Sequence, residues 1–264
     1  MARAYQNTVK TKLAAGEAVL GMSVRMVRSA DVARLAKTTG HDFLFIDIQH
    51  SIFSAETIFA IAQTAIEIGV SPMVRVRSID DPDVSLMLDN CVQGIIYPDI
   101  NTAQQAQHAV DVCKFAPLGK RSVTGGYPMF DYAAMPLSDS IPLLNDTTLV
   151  GVMIETVEGL ENVEAIAAVP GVDVVHVGTN DLLVDMGLAG KFDAPEIIAA
   201  QDRVNRACAQ AGIVSGCGGN RSIERQARAV KNGARFLTTQ TDIAFLTSAA
   251  NAWTTGLRDA IAKG

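Results

Sequence analysis

The sequence predicts an α/β fold, a parallel (β/α)8 TIM barrel, and three observations lead there. The first is length: 264 residues at 48% hydrophobic content are enough for one large core, and barrels of about 250 residues commonly form a single domain. The second is rhythm, because eight short β-rich runs alternate with stretches whose apolar residues recur every three or four positions. The third is punctuation, with Gly-Val or Gly-Ala dipeptides at 69, 171 and 233, where helices hand over to strands. A doubly wound sheet is the alternative reading of the same alternation. One domain spanning 1–264 is expected.

In chain order the strands are "VLGMSV" (19–24), "FLFIDI" (43–48), "PMVRVR" (72–77), "GIIYP" (94–98), "LVGVMI" (149–154), "VDVVHVG" (172–178), "IVSGC" (213–217) and "ARFLTT" (234–239). Helices are expected over 55–68, 102–115, 157–168 and 194–211, with Asp31 and Ser54 as N-caps. The segment 117–147 breaks the rhythm. It is rich in Pro, Gly and Ser, and a loop of that length in a compact domain is functional or disordered.

Composition removes several function classes. The net charge is −6 and no run of lysines and arginines occurs, so neither nucleic acid nor an anionic membrane is an expected partner. No apolar run approaches the roughly 20 residues of a membrane helix, and the first 17 residues lack the apolar stretch of a signal peptide; a soluble cytoplasmic protein acting on small molecules is expected. Cys91, Cys113, Cys208 and Cys217 show no C-x-x-C spacing and read as buried reduced thiols. The eight lysines fall in helices, loops or termini, which argues against an aldolase that forms a Schiff base from a strand-end lysine.

Barrel chemistry belongs at the C-terminal ends of the strands. There the chain carries Gln49 and His50, Arg75 and Arg77, Glu155, Asn180 and Asp181, and the segment "GCGGN" at 216–220. Singly, each has an ordinary explanation: a loop hydrogen bond, a surface ion pair, a first-turn carboxylate or a helix cap. Jointly they put a base, a cation and two carboxylates on one rim. Two carboxylates form an incomplete oxygen shell for Mg²⁺, Mn²⁺ or Co²⁺, completed by water and by the oxygens of an oxo-acid. Arg75 suits a developing enolate charge, and His50 suits proton transfer.

The segments "FIDIQHS", "VRVRSIDDPDVSLMLD", "FAPLGKRSV", "VMIET" and "VGTNDLLVDMG" together resemble the HpcH/HpaI-type class II pyruvate aldolases, and the resemblance runs over nearly the whole chain. It implies a phosphoenolpyruvate/pyruvate-type barrel with a swapped C-terminal helix, a homo-oligomer (a hexamer, as a trimer of dimers), a divalent metal, and cleavage of a 4-hydroxy-2-oxo acid to pyruvate and an aldehyde. By motif it implies His50 as acid/base, Arg75 as oxyanion stabiliser, Glu155 and Asp181 as metal ligands, and Asp89 as the carboxylate that raises the histidine's basicity. Arg121 falls in the acceptor-side loop, while Met153, Thr179 and Asn180 fall at substrate-contacting positions.

The chain also departs from that family pattern. Gln49 stands for a glutamate, Met153 for a glutamine, "GTNDL" for "GPADL", and His176 for a residue often aromatic, read here as a satisfied polar side chain in the barrel layer. Asp89 ends the helix before the fourth strand, at the opposite barrel end from His50, so a neighbouring subunit is one way to join them. Other functions stay open: a lyase of coenzyme A esters on a related metal barrel, a phosphate-binding barrel using "GCGGN", and a catalytically silent oxo-acid-binding protein.

Overall fold

The computed structural model of the chain describes residues 5–263; residues 1–4, at the head of the segment read for a signal peptide, lie outside the described residues. Its strands are β1 (Val19–Val24), β2 (Phe43–Asp47), β3 (Ser71–Arg75), β4 (Gly94–Tyr97), β5 (Leu149–Ile154), β6 (Val174–Gly178), β7 (Val214–Gly218) and β8 (Phe236–Thr241). Every strand runs parallel to its neighbours, in the order β1 to β8, and β8 closes on β1. This is the expected (β/α)8 barrel, and the doubly wound alternative is excluded by the closure.

The first half of the helical layer comprises α1 (Thr8–Ala14), α2 (Asp31–Thr38), α3 (Ala55–Glu67), α4 (Val84–Asp89), α5 (Ala103–Cys113) and α6 (Leu137–Thr147). The second half comprises α7 (Val157–Glu161), α8 (Val163–Ala167), α9 (Thr179–Asp185), α10 (Pro195–Ala211), α11 (Ile223–Lys231) and α12 (Asp242–Lys263). Among the described residues no helix is long and apolar enough to cross a membrane.

Two apolar layers follow from strand alternation. Outward-facing residues such as Leu44, Ile46, Val74, Ile95 and Val175 pack under the helices. Inward-facing Phe43, Phe45, Met73, Ile96, Leu149, Met153, Val174 and Phe236 fill the barrel, with Val9 of α1 plugging its base. Large side chains there fit against small neighbours: a Cβ at Gly21 would strike Phe43, and one at Gly151 would strike Ile96. Phe43 and Phe236 stack at 4.3 Å between ring centroids.

Ser54 caps α3 by accepting the Thr57 N–H, as expected. Asp31 does not cap α2. It is the first helical residue, and its own N–H is held by Ser29 Oγ. The 157–168 stretch breaks at Asn162 into two short helices.

The larger correction concerns 117–147, which is not a loop throughout. It holds a 3₁₀ turn at Pro128–Phe130 and then α6. Proline at 142 obscures α6, since it removes one intrahelical hydrogen bond. The carbonyl it leaves free is that of exposed Ser138, where water can serve. The end of α6 is tied to the barrel by buried Lys114, whose Nζ donates to the carbonyls of Asn145 and Thr148.

Candidate active site

A cavity of about 220 Å³ opens at the C-terminal end of the barrel. Arg25, His50, Arg75, Glu155, Asp181 and Arg221 line it, with Asp47, Met153, His176, Thr179 and Asn180. A second cavity of equal volume lies at the opposite barrel end, among Tyr5, Thr8, Gly69, Gln93 and Met129. Among the described residues Glu67 and Asp131 are its only charged lining residues, so the convergence of opposite charges singles out the upper one.

Glu155 follows the last residue of β5 and is buried. Its Oε2 accepts the N–H of Asp99 at 3.0 Å, and a Cβ on Gly178 would come within 2.4 Å of its Oε1. Only glycine at 178 leaves room for this carboxylate. Burial, with the nearby charges of Asp99 and Asp181, pushes the Glu155 carboxyl up to about 7 despite the Asp99 N–H and the charge of Arg75. Asp181 lies in the first turn of α9 and is exposed to solvent. The two remain a pair, since among the described residues no group of three or more His, Cys, Asp or Glu is placed to hold a metal ion.

Across the cavity, Arg75 at the end of β3 donates Nε to Asp47 Oδ1 at 3.1 Å and Nη2 to Asp47 Oδ2 at 2.7 Å. Burial raises the Asp47 carboxyl, but the hydrogen bonds and charge of Arg75, with the N–H of His50, hold it below the usual carboxylate range. The same carboxylate accepts the backbone N–H groups of Gln49 and His50 at 3.2 and 3.3 Å. Asp47 thus sets both the guanidinium and the turn that presents His50, and Arg25 Nη2 adds a bond to the His50 carbonyl at 3.1 Å.

His176 departs from expectation. It is wholly buried, yet among the described residues its Nδ1 has no hydrogen-bond partner. Its ring fills the space that the missing side chains of Gly216 and Gly218 leave on β7: Cβ atoms there would stand 2.7 Å from Nδ1 and 2.6 Å from Nε2. Burial, with the charge of Arg75, pushes its pKa down to about 3, so the cavity floor carries a neutral imidazole. Met153, its register neighbour on β5, is apolar floor beside it.

Two expected residues lie elsewhere. Asp89 and Arg121 form an ion pair with each other, and neither lines the cavity within one chain. Gln49 and Arg77 line a separate surface hollow with His50, and Arg77 is held by Asp81 and Asp83. Sequence reading missed Asp47, Arg25 and Arg221. Asp47 sits within a core strand, and a charged residue among five apolar ones is itself the signal. Arg25 directly follows the first strand, whose end went unread.

A family model described as HpcH/HpaI aldolase/citrate lyase matches residues 26–249. The chain belongs to the HpcH/HpaI aldolase/citrate lyase family. Within that family it is an aldolase. It is 38% identical over 244 residues to a 4-hydroxy-4-methyl-2-oxoglutarate aldolase of Hapsidospora irregularis, covering 90% of each chain. It is 39% identical over 249 residues to an enzyme of the same description from Chaetomium globosum, covering 92% of each. The crystal structure of an HpcH/HpaI aldolase from Desulfitobacterium hafniense superposes with a TM-score of 0.90 at 28% identity, covering 94% of this chain and 96% of that one. The cavity described above lies where barrel enzymes act, at the C-terminal strand ends.

Proposed function

We propose that this aldolase cleaves a 4-hydroxy-2-oxo acid to pyruvate and an aldehyde or related carbonyl compound, using a divalent cation held by Glu155 and Asp181. The observation that carries this reading is the opposition, in one cavity, of a carboxylate pair to an anchored arginine with a histidine beside it. The carboxylates fit a cation: Glu155 is buried where its own charge is penalised, with Asp181 adding to that penalty, and a divalent ion would offset both. When bound, the cation supplies Lewis-acid polarisation of the oxo-acid carbonyl.

The chain's own groups do the rest. His50 accepts the proton of the C4 hydroxyl; the C3–C4 bond breaks, the hydroxyl-bearing carbon leaves as the carbonyl product, and the electron pair passes into the pyruvate enolate. Arg75 stabilises the negative charge on the enolate oxygen, with its fork held in place by Asp47. Protonation of C3 then gives pyruvate. Met153 and His176 form the floor, and Thr179 and Asn180 border the oxo-acid end. The test is retro-aldol turnover together with exchange of pyruvate methyl protons in the presence of Mg²⁺, Mn²⁺ or Co²⁺. A protein that binds oxo-acids but does neither is a binding protein instead.

The same reading makes the chain a cytoplasmic homo-oligomer, a hexamer built as a trimer of dimers. Phe245, Leu246, Trp253, Leu257 and Ile261 stand exposed along α12, an apolar surface suited to a neighbouring subunit. Such a neighbour is also how Asp89 and Arg121 would reach a site they do not line in their own chain. Sedimentation of the protein beside Trp253→Glu tests this, and a monomer at micromolar concentration overturns it.

A further inference from the structure

His176 is the only fully buried histidine of the chain's four, and its two ring nitrogens face different surroundings. Nδ1 lies 2.7 Å from the place a Cβ on Gly216 would take, and it has no partner among the described residues. Nε2 lies 2.6 Å from the corresponding place on Gly218, two residues further along β7 toward the mouth. Gly218 lines the cavity and Gly216 does not. Nε2 is therefore the edge of the imidazole that looks into the cavity. Thr238 Oγ1 flanks the same missing side chain, so glycine at 218 keeps open a small polar notch between β6, β7 and β8.

The position of the proton follows from these surroundings. Burial and the charge of Arg75 keep the ring neutral, so it carries one N–H. On Nδ1 that donor would be orphaned, and buried donors without an acceptor are rare and costly. On Nε2 it opens onto the cavity, where an incoming acceptor can take it. The height of the notch identifies that acceptor. Gly178 and Gly218 are register partners on β6 and β7, strands ~4.8 Å apart; the first makes room for the Glu155 carboxylate and the second for Nε2. An oxo-acid held by a cation at Glu155 and Asp181 therefore reaches Nε2. With its C2 oxygen turned toward Arg75 at the end of β3 and its carbon chain toward His50 after β2, its carboxylate is left for the side of β6 and β7.

We propose that His176 is a substrate-binding residue whose Nε2–H donates a hydrogen bond to the carboxylate of the bound oxo-acid, with the Thr238 hydroxyl as its companion donor. This inference rests on the pyruvate-aldolase reading above and adds a side-chain contact to it. An uncharged donor suits this place better than a second cation, since Arg75 already supplies the charge that the enolate needs and a like charge near it would be repelled. The carboxylate stays ionised from substrate to product. The bond is therefore equally strong throughout the reaction and contributes to binding rather than to lowering the barrier.

Nitrogen NMR and pyruvate affinity test this on the Mg²⁺-loaded protein. With isotope-labelled histidine, the wild-type spectrum should show the proton of the buried ring on Nε2, and pyruvate should shift that nitrogen while Nδ1 stays without a proton. His176→Phe, which keeps a ring and loses the donor, should bind pyruvate about 10- to 10²-fold more weakly, as loss of a hydrogen bond to a charged group predicts. In retro-aldol kinetics the loss should fall on KM, with kcat little changed. His176→Gln, whose amide nitrogen comes close to the place of Nε2, should restore part of the affinity. A proton on Nδ1, or an Nε2 signal that pyruvate leaves unmoved, overturns the proposal even if no variant folds. Unchanged pyruvate affinity in folded His176→Phe, or a loss confined to kcat, overturns it alone, with the aldolase reading intact. A wild-type protein that neither binds pyruvate nor cleaves a 4-hydroxy-2-oxo acid overturns both together.

Discussion

Arg75 and Asp47 are register partners on adjacent parallel strands, and their side chains close a two-point ion pair of 3.1 and 2.7 Å above the barrel core. Parallel pairing puts both side chains on the inner face at one height, so the sheet itself sets the direction of the guanidinium. A salt bridge of this kind is weak evidence of stability. In the proposed mechanism it holds the fork still before substrate arrives.

Arg75→Lys should therefore fold normally and lose on the order of 10²-fold or more in retro-aldol turnover, the usual effect of removing an oxyanion donor. Asp47→Asn keeps the arginine but loses the charge that fixes it, and should also lower kcat. An Arg75→Lys enzyme with unchanged turnover would assign the enolate to another group. Because the Asp47 pKa is lowered by its partners despite burial, this pair contributes stability above the ordinary carboxylate range, and that contribution is lost as pH falls through the depressed value.

Glu155 gives the opposite pH signature. Its carboxyl, raised to about 7 chiefly by burial, holds its proton more tightly folded than unfolded. The cation-free protein should thus lose stability as pH rises from about 4.5 to about 7. Glu155→Gln should remove that loss, and Mn²⁺ should raise the melting temperature of the wild-type protein at pH 8 but not that of the variant. Excess chelator should abolish turnover. A melting temperature that responds equally to Mn²⁺ in both proteins would place the cation elsewhere.

His176 titrates the other way. With its pKa pushed to about 3 by burial, it stays neutral in the folded chain, while an unfolded histidine takes up a proton near pH 6.5. Between those values the unfolded state holds one more proton, so stability falls as pH drops through that window. His176→Phe, which keeps a ring in the space beside Gly216 and Gly218, should flatten the pH dependence of urea unfolding by one proton. Parallel curves for the two proteins would show that the imidazole is protonated in the folded chain.

Much of this was legible in the sequence for a physical reason. Buried parallel strands favour short, mostly apolar and β-branched runs, so all eight stood out, and a barrel then fixes which ends carry chemistry. His50, Arg75, Glu155 and Asp181 follow from that filter and do share one cavity. Spacing could not reveal contacts across the mouth. Nothing local says that Asp47 receives Arg75, that Arg121 turns to Asp89, or that two glycines of β7 make room for a ring from β6. Helix α6 was hidden by a proline whose cost is small where water can reach the freed carbonyl.

His50 lies on an exposed turn bordering two cavities, and its backbone is held from both sides, by Asp47 at the N–H and by Arg25 at the carbonyl. Its ring carries no part of the core, so His50→Ala should unfold at the wild-type temperature. If the imidazole moves the C4 hydroxyl proton while Glu155, Asp181 and Arg75 deal with the oxo-acid, removing it should separate binding from cleavage. The variant should bind Mn²⁺ and pyruvate nearly as well as wild type, yet lose roughly 10²- to 10⁴-fold in turnover, the range for a general acid/base. Titration calorimetry with pyruvate and steady-state kinetics on one preparation measure the two effects together. Weakened pyruvate binding with turnover intact would make His50 a binding residue, and the hydroxyl proton would then need another acceptor in the cavity.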